Sequence, residues 1–338
     1  MPMEDKYISL AHGNGGRYMR ELIEEVFTRR LGSALHDTNT DAVTLPWDSS
    51  AGELVFTTDG FTVQPLEFPG GDIGSLAVHG TVNDLAVAGA QPCYLGLNAF
   101  IEEGFEIAQL ERLIESMARA AIVCGARVVA GDTKVLRRGE GGGLYLATTG
   151  VGIRRPGLHL GFDQIQDGDV ILVSGPVGDH GTAVMFAREQ FGLRGDLASD
   201  AQSVLPFTQA LLDLRGLRFM RDPTRGGLAT VANEIARATG LTVRLREPAI
   251  PVRDSVRAVC DILGYDPLYL ACEGRVVAVL SLEDAATAFE RWRLLPSGET
   301  AAIIGTLHTG APHVVLETEL GGERTLEELE DDPLPRIC

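Results

Sequence analysis

No apolar run in this 338-residue chain reaches the roughly 18 residues that a membrane-spanning helix needs, so no membrane association is expected. The opening Met1-Pro2-Met3-Glu4-Asp5 lacks a basic segment leading into an apolar one, so no signal peptide is expected either. Positive charge is scarce: 29 Lys and Arg stand against 47 Asp and Glu, a net charge of −18. Binding to a polyanion would be repulsive, which argues against nucleic acid as a partner. An anionic small molecule stays open if a divalent metal supplies positive charge. Cysteine is sparse and odd in number, at Cys93, Cys124, Cys260, Cys272 and Cys338. No two sit at zinc-site spacing, so a reduced, cytoplasmic setting is expected. There is no Walker A run with its lysine, which excludes a standard P-loop.

Glycine is what the chain has in excess: 40 of 338 residues, about 12% against an average near 7%. With no collagen period, these read as tight turns and close backbone approaches. Periodicity predicts a helix over 17–31, a strand over 54–58, a buried helix over 73–88 and a strand over 93–101. It also predicts a helix from Ile107 to Ala121, a short strand over 127–130 ending at Gly131-Asp132, and a strand over 144–153. The glycine-containing stretch 154–168 reads as a linker. A second unit follows, with strands expected at 170–174, 242–246, 268–272, 275–281 and 301–307 and helices at 180–190, 202–214 and 228–238. Alternating strands and helices in both halves place the chain among mixed α+β and α/β folds. The expected organisation is an N-terminal segment with helix (1–38), a first domain (39–153), the linker, a second domain (169–316) and a flexible acidic tail (317–338). Leu326 and Leu329 leave room for one short helix in that tail.

Five features carry chemistry. His12-Gly13-Asn14-Gly15-Gly16 precedes the first helix, where glycines let backbone N–H groups meet an anion; an ordinary turn is the plain alternative. Asp41, Asp59, Asp84 and Asp132 each adjoin an apolar strand or helix, as strand-end acids facing solvent would too. Asp84 stands out because its segment otherwise looks buried, and a buried carboxylate needs a cation or hydrogen-bond partners. Several converging carboxylates suit Mg²⁺ holding phosphates, with Lys134 adding positive charge beside them. Asp222-Pro223-Thr224-Arg225-Gly226-Gly227-Leu228 opens the helix carrying Asn233 and Glu234. Asp222 reads as its N-cap with Pro223 at the first position, which leaves Arg225 and the Gly226-Gly227 amides open to phosphate. Glu273, between apolar stretches, is either a turn residue or a buried base. The final Cys338 ends a tail of roughly 20 residues that spans up to about 65 Å, enough to carry a thiol-bound group between two places.

Taken together, Thr58-Asp59-Gly60, Asn83-Asp84-Leu85-Ala86, Gly131-Asp132-Thr133-Lys134-Val135, the Asp222–Leu228 run and the Pro335-Arg336-Ile337-Cys338 ending resemble the HypE family of hydrogenase maturation factors. The middle motifs are shared with a wider ATP-using superfamily that includes aminoimidazole ribonucleotide synthetase, selenophosphate synthetase and thiamine-monophosphate kinase. The resemblance implies a ferredoxin-like first domain that pairs its sheet in a homodimer, followed by an α/β sandwich. It implies ATP and Mg²⁺ as cofactors. Asp41, Asp59, Asp84, Asp132, Asp222 and Asn233 would hold metal and phosphates. His12, Gly13, Asn14, Gly15, Gly16, Asn83, Thr133, Lys134, Arg225, Gly226 and Gly227 would contact nucleotide. The activity implied is dehydration of a carbamoyl group on Cys338 to a cyanide, with Lys134 and Glu273 in the proton transfers. The implied partners are the carbamoyltransferase HypF, which loads Cys338, and the HypC–HypD pair, which takes the product.

A small-molecule ATP phosphotransferase of the same superfamily is the alternative, against which the terminal cysteine argues. A non-enzymatic binding module is disfavoured by the number of separate phosphate-type motifs.

Overall fold

The computed structural model describes residues 6–13, 17–32, 52–189, 197–329 and 338. Helix α1 (Arg17–Leu22) continues through a π-helical stretch, Ile23–Thr28, into α2 (Arg29–Leu31). Strand β1 (Glu53–Phe61) leads to a small hairpin of β2 (Glu67–Phe68) and β3 (Gly71–Asp72), then α3 (Ile73–Val87), β4 (Ala90–Glu102), α4 (Ile107–Cys124), β5 (Arg127–Leu136) and β6 (Leu144–Arg154). The first sheet has the order β1-β6-β4-β5, with β4 and β5 parallel and the other pairs antiparallel.

Helix α3 starts cleanly because Asp72 accepts hydrogen bonds from the N–H groups of Gly74 and Ser75, while Ser75 Oγ accepts from the Asp72 N–H. It is apolar nearly all round and accordingly buried, packing on β1, β4, β6 and α4. Gly74 permits the closest approach to α4, since a Cβ there would stand 2.0 Å from the Leu113 carbonyl oxygen. Helix α4 buries Leu110, Leu113, Ile114 and Met117 on one side and ends at Gly125, whose φ of 69° suits glycine.

The second domain runs β7 (Val170–Val173), α5 (Asp179–Glu189), α6 (Leu205–Gln209), β8 (Leu217–Arg221), α7 (Gly227–Thr239), β9 (Thr242–Arg246), α8 (Asp254–Leu263), β10 (Val277–Leu280), α9 (Leu282–Arg293), β11 (Ala302–His308), β12 (Val314–Glu317) and β13 (Glu323–Thr325). These strands form a seven-stranded sheet of order β13-β12-β9-β11-β7-β10-β8. Its central strands are buried on both faces. Ile171, Val173 and Val277 pack with Ile235 of α7, and Val170, Leu172 and Ala278 pack with Trp292 of α9. Helix α3 also touches α6 and β8, so it forms the seam between the two domains. Among the described residues no helix is long and apolar enough to cross a membrane.

Five expectations are corrected. The strand expected over 127–130 runs on to Leu136. Its extra residue Val129 makes a bulge opposite Leu95 and Gly96, and pairing with β4 then continues to Glu102. The helix expected over 202–214 is confined to Leu205–Gln209, because backbone groups just before it bond across the seam to α3. No strand forms over 268–272: Asp266 accepts from the Leu268 N–H and starts a 3-10 turn at Pro267 instead. Helices α8 and α9 occur where no helix is expected. Finally, residues 317–329 are neither free nor helical. Strand β13 pairs with β12, Leu326 is fully buried, and Arg237 binds Glu328 at 2.7 Å.

Candidate active site

Four acidic side chains from four parts of the chain share one electrostatic environment along the domain seam. Asp59 lies on β1, Asp84 on α3, Asp222 after β8 and Glu273 before β10. Thr57 Oγ1 donates to Asp84 Oδ2 at 2.8 Å, and the Gly60 N–H donates to Asp59 Oδ1 at 2.7 Å. Burial raises the Asp59 carboxyl above its ordinary value, with Arg225 opposing. Burial also raises Asp84, and the Asp59 charge adds to it. Asp222 is pushed up to about 7 by burial and then by Asp84. Glu273 is raised well above the carboxylate range by burial and then by Asp222, Asp200, Asp59 and Asp84. Burial and these neighbouring charges favour its protonated form, and positive charge nearby would favour release of the proton.

The donors are all oxygen, and desolvation with mutual repulsion leaves them short of positive charge. That suits a hard divalent cation bound with phosphates, and Asp59, Asp84 and Asp222 could contribute oxygens to it. Among the described residues no three His, Cys, Asp or Glu converge tightly enough to cage a metal alone. Mg²⁺ sharing its coordination with phosphate and water has no need of such a cage.

Beside these acids is a cavity of about 500 Å³. Phe162, Phe219 and Met220 line its apolar side, and Asp84, Arg221 and Asp222 its polar side. Phe162 and Phe219 are stacked, with centroids 4.5 Å apart. An apolar wall meeting charged groups has the character of a site for a base-bearing phosphate compound. The turn into α7 is tightly built: Gly226 and Gly227 have φ of 70° and 58°, and a Cβ on Gly227 would stand 2.6 Å from the Leu270 carbonyl oxygen. Helix α7 is capped by Gly226 without a side-chain bond, so Asp222 is not its N-cap, which corrects that expectation.

Asp132 and Lys134 lie elsewhere. Gly60, Ala147, Asn98 and Asp132 are successive partners across the first sheet and share its outer face. Asp59 and Thr57 point to the opposite, α3-covered face. Lys134 Nζ sits 2.7 Å from Asp132 Oδ2, and this contact lowers the Asp132 carboxyl. Thr133, between them, is buried on the inner side. Asn83 is buried and its amide is spent on protein partners: Nδ2 donates to the Gln202 and Glu273 carbonyls, and Oδ1 accepts from the Val204 N–H. Asn233 Nδ2 donates to the Ala229 and Leu326 carbonyls. His12 is buried, its Nδ1 against Ser9 and its ring edge-on to Tyr18, and Gly13 closes the same 3-10 turn. Asn14, Gly15, Gly16 and Asp41 lie outside the described residues.

Cys338 docks at the end of β1. Its carbonyl oxygen accepts from the Thr62 N–H at 2.9 Å and from Thr62 Oγ1 at 3.2 Å. The residue is half-buried against the first-domain core. Sequence reasoning missed Phe162, Phe219, Arg221, Asp200 and Arg275. The pair Asp200 and Arg275 had no signal in local patterning, since their hydrogen-bond partners lie 73 to 99 positions away.

The two domains and their seam define a class. Residues 39–154 match the N-terminal domain, and 166–316 the C-terminal domain, of the AIR synthase related proteins. Within that class the chain is 48% identical over 333 residues to carbamoyl dehydratase HypE of Azotobacter vinelandii, covering 98% of this chain and 97% of the relative. A crystal structure of hydrogenase maturation protein HypE in complex with ATP superposes with a TM-score of 0.93 at 43% identity, over 97% of this chain and 99% of that one. A crystal structure of a HypE–HypF complex superposes with a TM-score of 0.80 at 39% identity, over 91% and 99% of the two chains. The chain belongs to the HypE carbamoyl dehydratase family.

Proposed function

We propose that this protein dehydrates a carbamoyl group carried on its own Cys338, using ATP, and so supplies the cyanide ligand for nickel–iron hydrogenase maturation. The observation that carries this reading is the docking of Cys338 on Thr62, which puts the last residue of the chain on the same strand segment as Asp59, three residues or roughly 10 Å along it. A thiocarbamate, S–C(=O)–NH₂, has a poor leaving oxygen. Its oxygen attacks the γ-phosphorus of ATP, a new O–P bond forms and the bond to ADP breaks. Two N–H protons then leave, the C–O bond breaks with phosphate as leaving group, and S–C≡N remains. The products are the thiocyanate, ADP and phosphate, with the elements of water ending in phosphate.

Asp59, Asp84 and Asp222 would hold Mg²⁺, which would neutralise charge on the phosphates; Asp132, paired with Lys134 on the outer sheet face, and Asn233, whose amide bonds two carbonyls, do not join them within one chain. Arg225 and the Gly226 amide would face phosphate, the Gly227 N–H being bonded to the Thr224 carbonyl at 3.0 Å, and the Phe162–Phe219 cavity would take the base. Glu273 is the buried base: once positive charge releases its proton, its desolvated carboxylate takes one from nitrogen. Lys134 stands on the outer sheet face, so it acts at a site completed when two copies meet there. Phe56 is 68% exposed on that face and Leu54 is exposed beside it, which supports a homodimer through a ferredoxin-like sheet. HypF as the enzyme that loads Cys338, and HypC–HypD as acceptor, complete the reading. All five cysteines are free, in keeping with a reducing cytoplasmic setting. The test is intact mass of the C-terminal peptide. Loading should add a carboxamide to Cys338, and ATP should then remove one water from that adduct. An adduct that keeps its water in ATP, or that sits on another cysteine, overturns the proposal.

A further inference from the structure

Glu273 is held by a strap that comes from neither of its neighbouring strands. Residues 199–204 cross the seam. The Ser199 N–H donates to the Pro69 carbonyl at 2.7 Å, and the Val204 N–H donates to Asn83 Oδ1 at 2.9 Å. Between these anchors, Asp200 Oδ1 accepts the Glu273 N–H at 3.1 Å, and that bond is buried. Asn83 Nδ2 holds the other side of the same residue by donating to the Glu273 carbonyl at 3.0 Å. Both backbone groups of Glu273 are thus tied to side chains from outside its loop. Asn83 directly precedes Asp84, so the same clamp sets the base in register with the expected metal ligand.

Asp200 is itself fixed. Its Oδ2 lies 3.4 Å from Arg275 Nε, and its side chain is fully buried. Arg275 donates from Nε to the Pro176 carbonyl at 2.9 Å and from Nη2 to Asp179 at 3.4 Å, and Asp179 also pairs with Arg253 at 3.0 Å. The strap lies against the loop so closely that residue 274 must be glycine: a Cβ there would stand 1.8 Å from the Asp200 carbonyl oxygen and 2.7 Å from Gln202 Cγ. A strap anchored at both ends and carrying a buried carboxylate beside a buried guanidinium has more parts than a simple turn closure needs.

We infer that Asp200, paired with the Arg275 charge, is a positioning residue for the dehydration step: through the Glu273 N–H it aims the Glu273 carboxyl at the carbamoyl nitrogen. This rests on the proposed role of Glu273. Small displacements of a reacting group cost roughly 10- to 100-fold in rate. Asp200→Ala should therefore slow conversion of the carboxamide on Cys338 by about that factor, while the Kd for ATP and the loading of Cys338 change less than about twofold. Asp200→Asn keeps an acceptor at Oδ1 and should fall between wild type and Asp200→Ala.

The decisive measurement is a double-mutant cycle followed by mass spectrometry of the tail in single-turnover conditions. If Asp200 acts through Glu273, Asp200→Asn and Asp200→Ala should add little to the loss already caused by Glu273→Gln. Full multiplication of the two losses, conversion by Asp200→Ala at the wild-type rate, or a loss that merely follows weakened ATP binding would each overturn the inference. Should Asp200→Ala not fold, the cycle with Asp200→Asn decides alone. Failure of wild type to lose water from the adduct would instead reject the proposed function, so the two failures are distinct.

Discussion

The Thr62 N–H meets the Cys338 carbonyl oxygen at 2.9 Å, closing a contact between residues 276 positions apart. Thr62 follows the strand that ends at Phe61 and carries Asp59. The contact joins the last residue of the chain to the first strand of the acidic cluster. Leu326 is packed in the second domain and Glu328 pairs with Arg237, so the reach of the thiol is set by the nine residues after Leu329, at most about 30 Å. That is under half the span expected for a tail free from Glu317.

Cys338→Ala should leave ATP affinity within about twofold of wild type, since one half-buried terminal side chain adds little to the fold. It should abolish formation of the cyanide adduct. Titration with ATP and intact mass of the C-terminal peptide check the two halves separately.

Asp84→Asn separates stability from activity. Removing a buried carboxylate that faces Asp59 relieves desolvation and repulsion, so the nucleotide-free protein should melt higher, by about 2–4 °C for each kcal/mol gained. ATP hydrolysis should fall roughly 10- to 100-fold, as expected for loss of one charged ligand of about 1.5–3 kcal/mol. Calorimetry and phosphate release read the two effects. A lower melting temperature would contradict the strain argued here.

Glu273→Gln and Lys134→Ala should accept the carboxamide on Cys338 and then convert it slowly. Removal of a general acid or base costs about 10²- to 10⁴-fold. Time courses of the loaded tail with ATP check this, and unaltered water loss in both variants would remove these residues from the chemistry.

The Asp179 carboxyl is pushed from 3.8 up to about 6, first by burial and then by Asp200. The folded state therefore binds this proton more tightly than the unfolded chain does. Its contribution to stability is fully present below about pH 4 and is lost as pH rises through about 6. The unfolding free energy of wild type minus that of Asp179→Asn should decline across that window and level off above it. Denaturant melts at several pH values measure the slope, and a difference that rises with pH would show the sign to be wrong.

Phe56→Asp places a charge on the exposed sheet face beside Leu54. If two copies meet there, the variant should sediment as a monomer and lose conversion, while each chain keeps its fold. Sedimentation velocity together with circular dichroism checks this.

Much of the secondary structure was legible because it is written locally. The apolar run of α3 with Asp72 before it, the one-sided pattern of α4 and the strand at 242–246 depend on residues within a turn or two of each other. Where expectation failed, distant partners decided. β5 continued past Gly131 because β4 supplied a long edge to pair with, and 202–204 stayed out of the helix because Asn83 bonds the Gln202 carbonyl and the Val204 N–H.

The same division holds for the site. Residue types and spacing alone single out Asp84 and Cys338, since an acid in an apolar run or a cysteine at a chain end is visible without a fold; Asp59, Asp222 and Glu273 keep plain readings as a strand-end acid, an N-cap and a turn residue until the HypE resemblance weights them. Only the tertiary structure decided that Glu273 is buried among four other acids, that Asp132 and Lys134 occupy the opposite face of the sheet from Asp59, and that Asp200 accepts the Glu273 N–H. Strand register sets which face a side chain takes, and packing between distant segments sets its desolvation. Both are sums over contacts between residues far apart in sequence, which no local window contains.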